Sequence, residues 1–138
     1  MTVPVHLLFV CVHNAGRSQM AAAFARVLGG GRVEVWSGGS APGDAVHPVV
    51  REAMREVGID LSAVAPRRLD EAQVRAADVV VTMGCGDACP IFPGKRYEDW
   101  KVQDPKGLPL EQVRAIRDDV RDRVRRLLDD LLGGPAAR

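Results

Sequence analysis

The sequence lacks an apolar run long enough to span a bilayer. Its first residues also lack the basic segment and long hydrophobic stretch of an export leader. The expectation is a cytoplasmic protein with no membrane partner. Net charge is nearly absent, since 19 Lys and Arg against 18 Asp and Glu leave +1. That gives no reason to invoke nucleic acid, so the positive charge that matters should be local. Cysteine is scarce and odd in number, at three. An odd count argues against a static disulfide framework, and in a reducing compartment such thiols are catalytic or redox-active. What is present is an ordinary globular balance, 46% hydrophobic and 27% charged over 138 residues. It fits one domain, residues 1–138, with a full core rather than disorder.

The chain is organised around His6–Ser18 (HLLFVCVHNAGRS). Leu7–Val12 reads as a buried strand, and an amphipathic helix follows over Gln19–Leu28. Between them, a tight loop aims main-chain N–H groups and a helix N-terminus at one point, which makes a concavity for a tetrahedral oxyanion. Val12, His13, Asn14, Ala15, Gly16, Arg17 and Ser18 are its candidate lining. Arg17 offers a planar, permanently charged fork for two oxyanion oxygens. Cys11 lies at the loop's base, where the N–H groups and Arg17 favour its thiolate and aim it at the central atom as a nucleophile. Asn14 suits a left-handed backbone position and Gly16 a tight one. Ser18 can cap the helix and hydrogen-bond the Cys11 thiolate. The competing view is a buried strand cysteine beside a surface arginine; the joint pattern argues against it.

This stretch resembles the phosphate-binding loop of the low-molecular-weight tyrosine phosphatases and of the arsenate reductases built on that fold. Asn14 and the run Arg17-Ser18-Gln19-Met20-Ala21 are closer to the reductases, although the loop alone does not decide.

Further along, Val33–Trp36 reads as a second strand and Ser37–Gly43 as a turn-rich loop flanking the anion loop. Helices are expected over Pro48–Val57, where Pro48 suits a first turn, and over Asp70–Ala76. Asp78–Met83 is the clearest buried strand. Lys95–Trp100 is expected to hold a last short strand. Leu110–Leu132 reads as a long amphipathic helix with a solvated Arg/Asp face. In the first helix Met20, Phe24, Val27 and Leu28 recur at helical spacing. Strands alternating with helices imply an α/β fold: a three-layer, open, parallel four-stranded sheet with helices on both faces. Ligands in such sheets bind beyond the strands' carboxyl ends, where the anion loop falls.

Cys85 and Cys89 follow the Val79–Val81 strand on a glycine-rich loop. Chance cysteines, a zinc site and a redox relay with Cys11 compete. Zinc is disfavoured because the set has no clean fourth ligand. The relay has a chemical logic: a two-electron reduction leaves an oxidised thiol, a second thiol resolves it, and a third carries the oxidation outward. Cys85-Gly86-Asp87-Ala88-Cys89-Pro90 resembles the redox segment of thioredoxin-coupled arsenate reductases, with fewer residues between the cysteines than in many members. Asp104-Pro105 resembles the general-acid loop of the same superfamily, although Asp-Pro is also a common turn pair. Phosphatases of this fold carry an aromatic soon after that pair. Lys106-Gly107 stand here, which favours a small inorganic anion.

The resemblance implies an arsenate reductase with Cys11, Arg17, Ser18, Cys85, Cys89 and Asp104 as its site. Arsenate would be the substrate, phosphate or sulfate competing oxyanions, and thioredoxin the reductant. No metal or organic cofactor is expected, and nothing demands more than a monomer. Some relatives hold a potassium ion beside the loop. Asn14 and Ser37 match two of its ligand positions, but Ala22 stands where a glutamate is expected, so that ion is not expected. His6, His13, His47, Trp36 and Trp100 are read as structural or exposed. The rival activities are a phosphatase for phosphotyrosine or small phosphate esters, and a non-catalytic oxyanion-binding or thiol-sensing module.

Overall fold

The computed structural model describes residues 4–84 and 93–133. Its elements, in order, are β1 (Val5–Cys11), α1 (Arg17–Gly29), β2 (Val33–Gly39), α2 (Pro48–Arg55), α3 (Glu71–Ala76), β3 (Val79–Met83), β4 (Arg96–Asp99) and α4 (Leu110–Leu131). The strands form one parallel sheet in the order β2-β1-β3-β4. This is the expected four-stranded α/β arrangement. Among the described residues, no helix is long and apolar enough to cross a membrane.

Alternation along β1 divides the core. Leu7, Phe9 and Cys11 face the larger cluster, with α1, α2 and α4. Leu8 and Val10 face a smaller one with Val74, Ala77 and Val80. Both faces are covered, so Leu7 to Cys11 are all buried and read as a continuous apolar run. Asp70 caps α3, accepting from the Ala72 N–H at 2.8 Å.

Four expectations are corrected. First, β2 does not stop at Trp36. Gly38 and Gly39 pair with Val10 and Cys11 of β1. A Cβ on Gly38 would lie 2.9 Å from the Leu69 backbone, and one on Gly39 2.6 Å from the Val12 carbonyl oxygen. The glycines are there for close packing, not for a turn. Second, α1 begins at Arg17 with Gly16 as N-cap and no side-chain cap. Ser18 is therefore inside the helix and its hydroxyl turns to the loop. Third, α1 is not simply amphipathic: Ser18 to Ala25 are all buried between sheet and α4, whereas Val27 is 64% exposed. Fourth, the charged face of α4 is not wholly solvated. Arg117 is buried and donates to the Ala53 carbonyl and to Glu56, each at 2.9 Å, tying α4 to α2.

Candidate active site at the carboxyl edge of the sheet

Cys11 is the last residue of β1 and is buried, with Met83 of β3 and Gly39 of β2 as its neighbours in register. The chain then turns through Val12–Gly16 into α1. The carbonyls of this loop are engaged from outside. Ser40 N–H donates to Cys11 O at 3.2 Å, Ala41 N–H to Val12 O at 2.8 Å, Gly43 N–H to His13 O at 2.9 Å and His47 N–H to Ala15 O at 3.0 Å. The Met20 N–H takes the Gly16 carbonyl at 3.0 Å. A loop whose carbonyls are tied outward turns its N–H groups inward, the arrangement an anion needs. The flanking segment after β2 supplies three of these five donors, so the Ser37–Gly43 stretch does border the anion loop.

Two groups meet the Cys11 sulfur. Ser18 Oγ lies 2.9 Å from Sγ, and the Asn14 N–H donates to Sγ at 3.2 Å. Asn14 is fully buried and adopts φ 51°, the left-handed conformation that its position suggested. Its Nδ2 donates to Ser18 Oγ at 2.6 Å. Its oxygens accept from Gln19 Nε2 at 3.1 Å (main chain) and 3.0 Å (Oδ1), and from the Arg67 N–H at 2.9 Å. Those are oxygens an alkali cation at this place would need. With Ala22 lacking a carboxylate as well, these residues do not fit such an ion.

Arg17 opens α1 with its guanidinium swung toward the late loop. Its Nη1 reaches the Val102 carbonyl at 3.4 Å and its Nη2 lies 3.7 Å from Asp104 Oδ2. Gly84 makes room for it: a Cβ there would meet Arg17 Nη1 at 2.8 Å, and φ is +92°. The other oxygen of Asp104 accepts from the Lys106 N–H at 3.0 Å. Pro105 then seats the acid loop on the anion loop, since a Cβ on Gly16 would fall 2.7 Å from Pro105 Cγ. The tightness expected of Gly16 is thus a demand for space. Cys11 is brought onto Ser18 at the base of the loop, and Arg17 onto Asp104 where α1 begins. Cys85, Cys89 and Pro90 lie outside the described residues. Met83, two positions before Cys85 in the chain, is in register with Cys11.

Sequence reasoning missed two neighbours. Gln19 is 2% exposed although polar; its signal was a lone amide ahead of the apolar run Met20–Ala25. His47 was set aside as structural or exposed. Its ring lies against Gly16 beside the Pro105 side chain. Burial pushes its pKa down, opposed by Asp104 and reinforced by Lys106 and His13. The other predicted packing roles hold: Trp100 is buried near Phe9 with its Nε1 donating to Glu98 at 2.9 Å, and Trp36 packs on His6.

A strand, a loop whose carbonyls are tied from outside and a helix, with a buried thiol at the strand's end and an arginine at the helix's start, define a thiol site of the α/β class, in the form an oxyanion cradle requires. The chain belongs to the low molecular weight phosphotyrosine protein phosphatase family, whose model matches residues 6–133. A putative arsenate reductase of Halobacterium salinarum is 44% identical over 127 residues, covering 88% of this chain and 89% of that protein. The glutaredoxin arsenate reductase of Synechocystis sp. is 38% identical, covering 88% of this chain and 95% of that one. A solved structure, the thioredoxin-dependent arsenate reductase of Corynebacterium glutamicum, superposes with TM-score 0.83 at 41% identity, over 96% of this chain and 64% of that longer one.

Proposed function

We propose that this protein is an arsenate reductase in which Cys11 is the nucleophile and Cys85 and Cys89 carry the oxidation away to thioredoxin. The observation that carries the reading is the convergence of Ser18 and Asn14 on Cys11 Sγ at the start of α1, with Asp104 3.7 Å from the Arg17 guanidinium. The relatives named above, and two further cysteines where a simple phosphatase of this fold needs none, separate reduction from ester hydrolysis.

Arsenate docks on the inward amides of Val12–Ser18 and on Arg17, which matches its negative oxygens with donors already in place. The Cys11 thiolate attacks arsenic and forms an S–As bond. Asp104 gives its proton to the departing oxygen, which leaves as water. The Cys85 thiolate then attacks the Cys11 sulfur. The S–As bond breaks, its electron pair stays on arsenic, and arsenic(V) becomes arsenic(III), released as arsenite. The two sulfurs share a disulfide. Cys89 attacks Cys85, forming Cys85–Cys89 and returning Cys11 as thiolate. A thioredoxin dithiol reduces that pair and is itself oxidised. A dependence on reduced thiols supports a cytoplasmic location.

The test is arsenate-dependent NADPH oxidation with thioredoxin and thioredoxin reductase, wild type beside Cys85→Ser. Turnover in the wild type and its loss in the variant are the expected results. Arsenite formed only with glutathione and glutaredoxin would keep the reaction and replace the relay. Efficient hydrolysis of a phosphotyrosine peptide, with no arsenite under either reductant, would overturn the reading.

A further inference from the structure

Asn14 is the sole non-glycine residue with positive φ among the described residues. The direction of each hydrogen bond around it follows from one donor that has no alternative. The Arg67 main-chain N–H points at the Asn14 side chain at 2.9 Å. A backbone amide only donates, so the atom facing it is Oδ1. The Nδ2 group is then the one facing Ser18, to which it donates at 2.6 Å. Because Ser18 Oγ accepts there, its own hydrogen is left for Cys11 Sγ, 2.9 Å away. The series runs one way, from Arg67 to Asn14, from Asn14 to Ser18, and from Ser18 to the sulfur. The Asn14 N–H adds a second donor to the same atom. Hydrogen bonds to an anion are worth more than those between neutral groups, so the polarity of this series matters where charge sits on sulfur.

Gln19 acts at the head of that series. Its Nε2 reaches both the main-chain oxygen of Asn14 at 3.1 Å and Oδ1 at 3.0 Å. Both atoms are acceptors, which fixes the Gln19 amide as well. One NH₂ group therefore holds the backbone and the side chain of Asn14 together. The Arg67 N–H holds the side chain alone. The left-handed conformation costs a non-glycine residue of order 1–3 kcal/mol and persists only where its surroundings enforce it.

We propose that Gln19 is a positioning residue: its amide clamps Asn14 in the conformation and orientation that deliver two donors to Cys11 Sγ. The proposal rests on the reading of Cys11 as nucleophile. A side chain needed only to fill space would require shape and no donors, and that difference is measurable.

The test compares Gln19→Met, which keeps the length without donors, and the isosteric Gln19→Glu, which sets a carboxylate against the Asn14 oxygens. The readout is peptide-resolved alkylation of Cys11 by iodoacetamide across a pH series, in full-length protein that retains the wild-type far-UV spectrum. Both variants are expected to alkylate about tenfold more slowly at neutral pH, the loss of roughly one charge-assisted hydrogen bond. Their rate profiles should move to higher pH. For Gln19→Glu the gap to wild type narrows as acid protonates the new carboxyl and restores an O–H donor. A folded variant of either kind with the wild-type rate and profile overturns the clamp. Alkylation needs neither arsenate nor a reductant. The expected slowing in a protein that fails to turn over arsenate would support the clamp and remove the reductase reading.

Discussion

Two loops meet over Arg17, and they are built differently. The anion loop is fixed from every side. Five of its carbonyls accept from main-chain donors, and Gln19 takes a sixth, that of Asn14. The acid loop rests on two buried anchors, Val102 and Pro105, with Asp104 between them, its side chain 41% exposed. Its carboxyl is held by one main-chain donor at 3.0 Å and a longer approach to Arg17 at 3.7 Å. A group that must stabilise charge gains from being set in place beforehand. A group that must pass a proton gains from room to reach the departing oxygen, and such contacts often tighten only with substrate bound. In the proposed mechanism the rigid loop would serve the first task and the tethered one the second.

Asp104→Asn attacks that division most directly. The amide keeps the shape and the Lys106 contact but has no acid proton to give. The expected outcome is a fall in kcat of roughly 10²–10⁴, with little change in arsenate KM and none in Cys11 alkylation. Single-turnover kinetics beside the alkylation assay separate these. An equal loss in both would mean that the two loops are one unit and the contrast is wrong.

Gly16→Ala probes the seam. The new methyl would stand 2.7 Å from Pro105 Cγ, so the acid loop must lift. A displacement of about 1 Å costs up to roughly 10²-fold in a positioned reaction, and a loss near tenfold in kcat is expected. The double variant Gly16→Ala/Pro105→Gly removes the clash. Partial recovery in the double variant, relative to the product of the single effects, would show that the loss travels through Pro105.

How much of this was legible in sequence follows from how local each cause is. The spacing from Cys11 to Ser18 encodes strand, turn and helix within eight residues, so the loop, its arginine and the left-handed Asn14 could be read directly. Asp104-Pro105 was legible as a pair, but its seat on Gly16 joins residues far apart in the chain. Gly38-Gly39 misled because paired glycines read as a turn unless one sees Leu69 and the Val12 carbonyl crowding them. Arg117 was placed on a solvated face because its acceptors, Ala53 and Glu56, belong to another helix. Gln19 showed only as a lone amide ahead of an apolar run, because its partners, the main-chain oxygen and Oδ1 of Asn14, come within reach only in the folded loop.

The smallest expected effects contrast the two ends of α2: His47 caps the end at the site, and Glu56 caps the other, where charge joins α2 to α4. Hydrogen bonds from Arg114 hold the Glu56 carboxyl down at about 2, against a desolvation cost and with help from Arg117. In the unfolded chain that carboxyl returns to its ordinary value of 4.5. Its contribution to stability is therefore complete above that value and is lost as pH falls through the folded one. His47 acts at the other end and in a different window. Burial lowers its pKa from the ordinary 6.5, so the folded state favours the neutral ring, and stability declines as pH drops below that ordinary value until the folded ring also protonates. Thermal unfolding of wild type, Glu56→Gln and His47→Gln over a pH series checks both. The Glu56→Gln curve should lie below wild type at neutral pH and converge on it only in strong acid. His47→Gln should remove the decline just below neutrality and leave the acid limb intact. If His47→Gln instead flattened the acid limb, the site and the helix pair would share one electrostatic network, and the separation between a loop built to act and a helix pair built to hold would fail.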